Sequence, residues 1–466
     1  LSPHDALPIY YINDEKIRDL ALACEEHLWA DILGHYHPET YQMAGPYSRA
    51  YTVDSVGHTH QARFILYSVL GDKLEINPLN TLFLGEYGQD KECIHGDAAF
   101  MQVSTAWMMS AMYHCPAYMA QTMLDKNYPY EFYATTEFNS STDSHAAQDE
   151  RDASKEDDTY EYAAGSGSVS TYMTEDYALG VTSHEFHNGI QTDSFHLLYR
   201  RRAPAKSQAD IATVYARYII NEKKPGQSNF YPLYNKQIDD SSLWDEGRKI
   251  GVHHANTAMI LYKPKVFGSK EVSSLKLSLI FPAHYGPVEE IWLGDEKLHG
   301  AEGQSAGVCP VFIKDGPVYM AFHPLIFTDH GRKAAIKAEK INDFVVVSFY
   351  NYEGSAKDFA KRGFLLTGNG FIIEVRNEKE AGSFNRFKDM MKDFNIKDTL
   401  FSCNHSRWTG LRRTRYERAG LIIECEYSPV SEGIKHISIN GNIPESPRLK
   451  IKGMDVSKLP FYETTF

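Results

Sequence analysis

The sequence predicts a chain of two parts: the C-terminal portion of an α/α toroid, followed by a large antiparallel β-sandwich. Three observations carry this reading. Apolar residues recur at helical spacing in the first quarter of the chain. They alternate singly with polar residues after about residue 170. Between these regions, residues 139–158 are dominated by Ser, Asp, Glu and Lys, and a Gly/Ser run follows at 165–168. Such a composition cannot bury enough apolar surface to order itself, so 139–168 reads as a linker or exposed loop.

Residues 1–9, L-S-P-H-D-A-L-P-I, read as a non-native leader. No compartment is therefore read from the N-terminus. The toroid portion is expected over 10–138. Its first helix spans 14–36, with Ile17, Leu20, Ala21, Cys24, Leu28 and Ile32 on one face and Asn13 as cap. A loop rich in Gly, Pro, Ser and Tyr follows over 41–54, and further helices are expected over 57–71 and 97–125. Phe100, Trp107, Met108, Ala111 and Met112 form the apolar side of the last of these.

The sandwich is expected over 169–466. Leu275, Leu277, Leu279 and Phe281 alternate with polar neighbours, and 344–350, 371–375 and 421–427 are β-branched or aromatic runs. Strands are expected at 172–180 and 194–199, and a short helix at 378–393. Gly286-Pro287, Gly294-Asp295 and Asn440-Gly441-Asn442 mark turns.

Composition narrows the function classes. Of 466 residues, 42 % are hydrophobic and 23 % charged, which fits a globular protein with real cores. No apolar run is long enough to cross a bilayer, so no membrane partner is expected. The net charge of -13 argues against nucleic acid, whose affinity comes from neutralising phosphates. An acidic sugar remains compatible, because a local Arg/His cluster suffices to hold one carboxylate. The six cysteines show no metal-type spacing and no disulfide framework.

Two segments concentrate acid/base groups. The first is G-P-Y-S-R-A-Y-T-V-D-S-V-G-H-T-H at 45–60, with Tyr47, Arg49, Tyr51, Asp54, His58 and His60. Tyr and His can move protons, and Arg can bind a carboxylate through two parallel hydrogen bonds. The plainer alternative pairs Arg49 with Asp54 and packs the tyrosines. The second is T-S-H-E-F-H-N-G-I-Q-T-D-S-F-H at 182–196, which crowds His184, Glu185, His187, Asn188 and Gln191 between two strands. It can line a cleft, bind a structural divalent metal through imidazole, or be an ordinary polar turn. No other cofactor is expected.

Weaker signals favour structural roles. They are His253-His254, His284, His323, the group Asp329, His330 and Arg332, and the basic run Arg407, Arg412, Arg413, Arg415 and Arg418. The basic run reads as a solvated or carboxylate-paired strand face. Walker, G-x-S-x-G and H-E-x-x-H signatures are absent. The 30 tyrosines suit either sugar stacking or aromatic packing.

This order of parts, with its G-P-Y-S-R loop, acidic linker and His-rich turn, resembles the heparinase II/III-type polysaccharide lyases and related toroid-plus-sandwich families. The resemblance spans roughly 10–450 and lies in architecture and residue types. It implies β-elimination on a uronate-containing glycan, with an acidic poly- or oligosaccharide as partner. Tyr47, Tyr51, His58, His187 and Asn188 are of the types such catalysis uses, and Arg49, His184 and Gln191 are candidates for substrate binding. This chain has H-E-F-H-N-G where the family alternates His and Asp. A glycoside hydrolase, using carboxylates such as Asp54, Glu86, Asp97 or Glu185, is the competing enzyme reading. A non-catalytic glycan-binding protein is the third.

Overall fold

The computed structural model describes residues 14–40, 42–46, 126–136, 167–183, 194–206, 208–222, 247–264, 271–283, 286–326, 334–341, 344–404, 409–430, 434–444, 449–451 and 454–455. Strand accounts for 59 % of these residues and helix for 15 %, in four antiparallel sheets. The α/α toroid is therefore not the architecture. The expected helices at 57–71 and 97–125, and the acidic segment 139–158, lie outside the described residues.

The first helix is present as α1 (Glu15–His35), capped by the Asp14 side chain. Among the described residues it forms no helical layer. Ile17 and Leu20, on the predicted apolar face, are exposed, whereas Ala23 and Leu33 are buried. Its C-terminal end lies on a sheet, where a Cβ on Gly34 would meet the Phe132 ring at 2.3 Å. Phe132 belongs to β3 (Tyr130–Thr136), inside the stretch expected to be helical. There Tyr130, Phe132 and Ala134 alternate inward, the period of a strand.

Strands are numbered in chain order, and β1 (Tyr36–His37) pairs with β2 (Gln42–Met43). Three layers of sheet follow. The largest sheet has eleven strands and contains β3, β4 (Gly167–Met173), β5 (Tyr177–Thr182), β6 (Phe195–Arg200), β7 (Ile211–Ile220), β10 (Glu271–Pro282) and β17 (Phe344–Asp358), hydrogen-bonded in that order along its middle. It also holds β13 (Gly303–Ser305), β16 (Ile336–Ile341), β23 (Leu449–Ile451) and β24 (Met454–Asp455). The second has seven strands and includes β8 (Gly247–His254), β9 (Thr257–Pro264), β15 (Val318–Pro324) and β18 (Asn369–Asn377). It also holds β11 (Glu290–Leu293), β12 (Glu296–Lys297) and β14 (Val311–Asp315). The third is a four-stranded meander of β19 (Asn395–Asn404), β20 (Thr409–Arg418), β21 (Leu421–Tyr427) and β22 (Ile434–Ile439).

The predicted Leu275, Leu277, Leu279 and Phe281 all enter one core between the eleven- and seven-stranded sheets, with Leu197, Val214, Ile260, Phe322 and Ile373. Burying each such side chain contributes about 1.5–3 kcal/mol, so this interface dominates stability. A second core joins Ile250, Val252, Met259, Leu261 and Ile372 of the seven-stranded sheet to Tyr416, Ile423, Cys425 and Tyr427 of the meander. Many of the described tyrosines go into these cores: Tyr177, Tyr199, Tyr218, Tyr262, Tyr352, Tyr416 and Tyr427 are among the largest fully buried side chains. That favours packing over sugar stacking for these seven.

Several local expectations change. One strand over 172–180 is in fact a hairpin, β4 turning into β5. The Thr174 hydroxyl accepts from the Asp176 and Tyr177 amides to make the turn. Part of the Gly/Ser run assigned to the linker is the start of β4. The helix at 378–393 is two pieces, Glu378–Ala381 and Phe384–Met390, split at Gly382 with φ +79°. The basic run is paired with carboxylates: Arg412 with buried Asp398 at 2.8 Å, Arg413 with Glu426, Arg415 with Glu424 at 3.6 Å, and Arg418 with Glu374. Arg407 lies outside the described residues.

Lys126 fastens the N-terminal segment to the large sheet. Its ammonium donates to the carbonyls of Leu33 (3.0 Å), Gly34 (2.7 Å) and Tyr36, at the C-terminal end of α1. Those carbonyls lack helical partners and carry the negative end of the helix dipole. Beside it, His37 Nε2 donates to the Thr174 carbonyl at 2.7 Å. Burial, with Lys126 and Arg200 nearby, brings the His37 pKa down to about 3.

Burial and the neighbouring Arg217 likewise bring His196 down to about 3. In the unfolded chain both rings take up protons below about pH 6.5, whereas in the folded chain they stay neutral until about pH 3. The unfolded state thus binds more protons in this window, and stability falls as pH is lowered through it. Two such groups cost about 2–3 kcal/mol per pH unit below pH 6. Urea midpoints should drop clearly between pH 6.5 and 5; a constant midpoint would contradict neutral burial of these rings.

Candidate functional site

The residues nominated from sequence, Tyr47, Arg49, Tyr51, His58, His184, His187, Asn188 and Gln191, lie outside the described residues. The ends of both segments are described, and they meet on the eleven-stranded sheet.

The first segment arrives through Ala44, whose amide donates to the His35 carbonyl at 2.7 Å. The Gly45 carbonyl accepts from the Thr171 hydroxyl of β4 at 2.8 Å. It also rests on Gly180 of β5 so closely that a Cβ there would lie 1.9 Å from the Gly45 oxygen. A Cβ on Gly45 would in turn lie 2.5 Å from that of His196 on β6. Glycine inside a strand marks this kind of backbone approach.

The second segment leaves β5 two residues after Gly180 and returns into β6 two residues before His196. Thr182 and Ser194 close its base with a backbone bond of 2.9 Å. Ser183 is held on three sides. Its amide donates to the Ser168 carbonyl at 2.8 Å, its hydroxyl accepts from the Ser168 amide at 2.9 Å, and its carbonyl accepts from the Gly251 amide at 3.3 Å. Gly251 belongs to the seven-stranded sheet, and a Cβ there would lie 2.4 Å from the Thr182 carbonyl oxygen. Both large sheets therefore grip the root of the His-rich segment. His253 shares this junction: its Nδ1 lies 2.8 Å from the Ser170 hydroxyl and its Nε2 2.6 Å from the Ala255 carbonyl oxygen. His254, next in the strand, is exposed.

Alternation puts Gly180, Thr182, Ser194, His196, Thr213, Tyr215 and Arg217 on one face of the sheet, the face that Gly45 covers. The hydroxyls of Thr182, Ser194 and Thr213 are buried and have no hydrogen-bond partner among the described residues. Buried hydroxyls are ordinarily paired, so this patch carries unused hydrogen-bonding capacity. The Arg217 guanidinium lies 4.7 Å above the Tyr215 ring. A neutral imidazole thus stands beside a cation on the face that Gly45 covers.

Sequence reasoning nominated neither His196, Thr213 nor Arg217. The isolated glycines Gly180 and Gly251 inside strand-forming runs were the available signal for a close approach. Among the described residues no group of His, Cys, Asp or Glu is arranged to hold a metal ion, and no helix is long and apolar enough to cross a membrane. No protein-family model matches the chain, and comparison with curated proteins finds no similar sequence.

Gly180→Ala should be costly, because its new methyl meets backbone rather than a flexible side chain. Overpacking of this kind costs about 1–3 kcal/mol. Gly307→Ala, where a Cβ meets nothing within 4 Å, is the control. Urea denaturation should show a lowered midpoint for the first variant only; equal midpoints would mean that Gly45 does not rest on Gly180.

Proposed function

We propose that the chain binds an acidic glycan where these two segments meet and cleaves it by β-elimination. The observation that carries the proposal is the contact of Gly45 with Gly180 and His196. It ties the described ends of both acid/base-rich segments to adjacent strands of one sheet. The resemblance to heparinase II/III-type lyases, limited to its site residues and β-domain, supports the chemistry.

In that reaction a base removes the C5 proton of a uronate, and negative charge spreads into the carboxylate. Arg49, with His187 and Asn188, would stabilise that charge as it develops. Tyr47 or Tyr51 would transfer the proton, and the C4–O4 bond would break as the double bond forms.

The full-length protein should be offered acidic and neutral polysaccharides, reading both the new C4=C5 absorbance and new reducing ends. Both signals should rise together on an acidic polymer. Tyr→Phe at whichever of positions 47 and 51 moves the proton should lower kcat by roughly 100-fold or more, with KM little changed. Arg49→Ala should erode the preference for acidic over neutral polymers. Reducing ends without a double bond would indicate hydrolysis and overturn the proposal. Binding without either product would leave a glycan-binding protein in its place.

A further inference from the structure

The interface between the seven-stranded sheet and the meander carries a second polar constellation, independent of the glycan reading. At its centre Glu374 of β18 is completely buried. Arg418 of β20 grips it through Nε and Nη2, and the Tyr416 hydroxyl donates to it from the same strand. Arg376, on the strand of Glu374 itself, stands 3.6 Å away. Burial alone would raise the Glu374 pKa, but Arg418 above all holds it below the usual carboxylate value. The carboxylate belongs to one sheet and its main cation to the other, so this pair ties the two layers together.

His323 of β15 lies one row away, with His323 opposite Ile372 and Ala321 opposite Glu374 in the ladder. The ring is 1 % exposed, and neither nitrogen has a hydrogen-bond partner among the described residues. It packs against Phe394, at 4.1 Å between ring centroids, and against Tyr416 of the meander at 6.0 Å. The titratable and charged groups facing it are Glu374 and Arg376 from β18 and Tyr416 and Arg418 from β20. Leu325, just past the end of its own strand, and Ile372 opposite are apolar. Glu374 is thus the one carboxylate in reach among the described residues, and Arg418 already holds it.

We propose that His323 is an acid-sensitive latch: the meander stays docked on the seven-stranded sheet only while this ring is neutral. A proton on the ring leaves two outcomes. Either a cation stands unpaired between apolar layers, or it draws Glu374 away from Arg418 and breaks the tie between the sheets. Both are costly in a dry interface. Burial is the main reason the docked ring resists protonation until about pH 4, with Glu374 opposing and Arg418 assisting. An undocked ring protonates near pH 6.5. Docking should therefore weaken as pH falls through that window, by roughly 25-fold between pH 7 and pH 5.

Hydrogen exchange of the full chain, corrected for the intrinsic pH dependence of exchange, reads this directly. Amides of β19–β22 should lose about that factor of protection between pH 7 and pH 5. In His323→Phe, whose ring suits the pocket between Phe394 and Tyr416, the same amides should keep their protection over that interval. An undiminished loss in that variant, or a meander equally protected at pH 7 and pH 5 in the unaltered chain, would overturn the latch. If His323→Phe and His323→Leu both fail to fold, imidazole NMR of the unaltered protein decides. A ring that stays neutral until the meander opens supports the latch, and one that titrates near pH 6.5 with the meander still protected refutes it.

Discussion

The close passage of the Gly45 carbonyl over Gly180 is the constraint on which the functional geometry rests. Backbone meets backbone there with no side chain between, so the N-terminal segment is seated to within the width of a methyl group. Gly251 repeats the device from the opposite side, bringing the seven-stranded sheet against Thr182. Between these two contacts the chain leaves the sheet and returns, with its root fixed by Ser168, Ser183 and Ser194. Residues 182, 183 and 194 are thus ordered by the sheets themselves, and a ligand of the kind proposed would not have to order that base on binding.

Polar groups are distributed to match. Several buried charges are paired across separate elements: Arg200 with Asp176 at 2.8 Å, Arg201 with Asp315 at 2.8 Å, Arg412 with Asp398, and Arg418 with Glu374. Losing one member of such a pair costs more than the pair contributes, because the other stays buried and uncompensated. Arg201 with Asp315 and Arg418 with Glu374 cross between sheets, so those two specify how the layers meet more than they add to stability. The buried His323 ring, by contrast, has no hydrogen-bond partner among the described residues, and it sits where Arg418 and Glu374 join the layers.

Much of the β-architecture was legible in the sequence, because single alternation has one structural solution. Leu275 to Phe281 show this, as do Arg413 and Arg415 facing Glu424 and Glu426 on the next strand. The helix at 15–35 was legible from its spacing, but its partner was not. Helical periodicity says that a face is apolar without saying whether a helix or a sheet covers it, and here the cover is Phe132. The strand 130–136 was misjudged because it lies beside helix-like sequence. The hairpin at 174–176 was missed because its turn is made by the Thr174 hydroxyl rather than by glycine or proline. At the candidate site the density of acid/base residues was visible, whereas the meeting of the two segments depends on pairing between strands far apart in sequence.

The central claim is that both segments serve one ligand. Hydrogen exchange of the full chain with and without an acidic oligosaccharide tests it most directly. The account predicts that backbone amides on both sides of the contact, around residues 44–47 and 180–196, gain protection together and at the same ligand concentration. Protection confined to one segment, or the two appearing at different concentrations, would contradict a shared site.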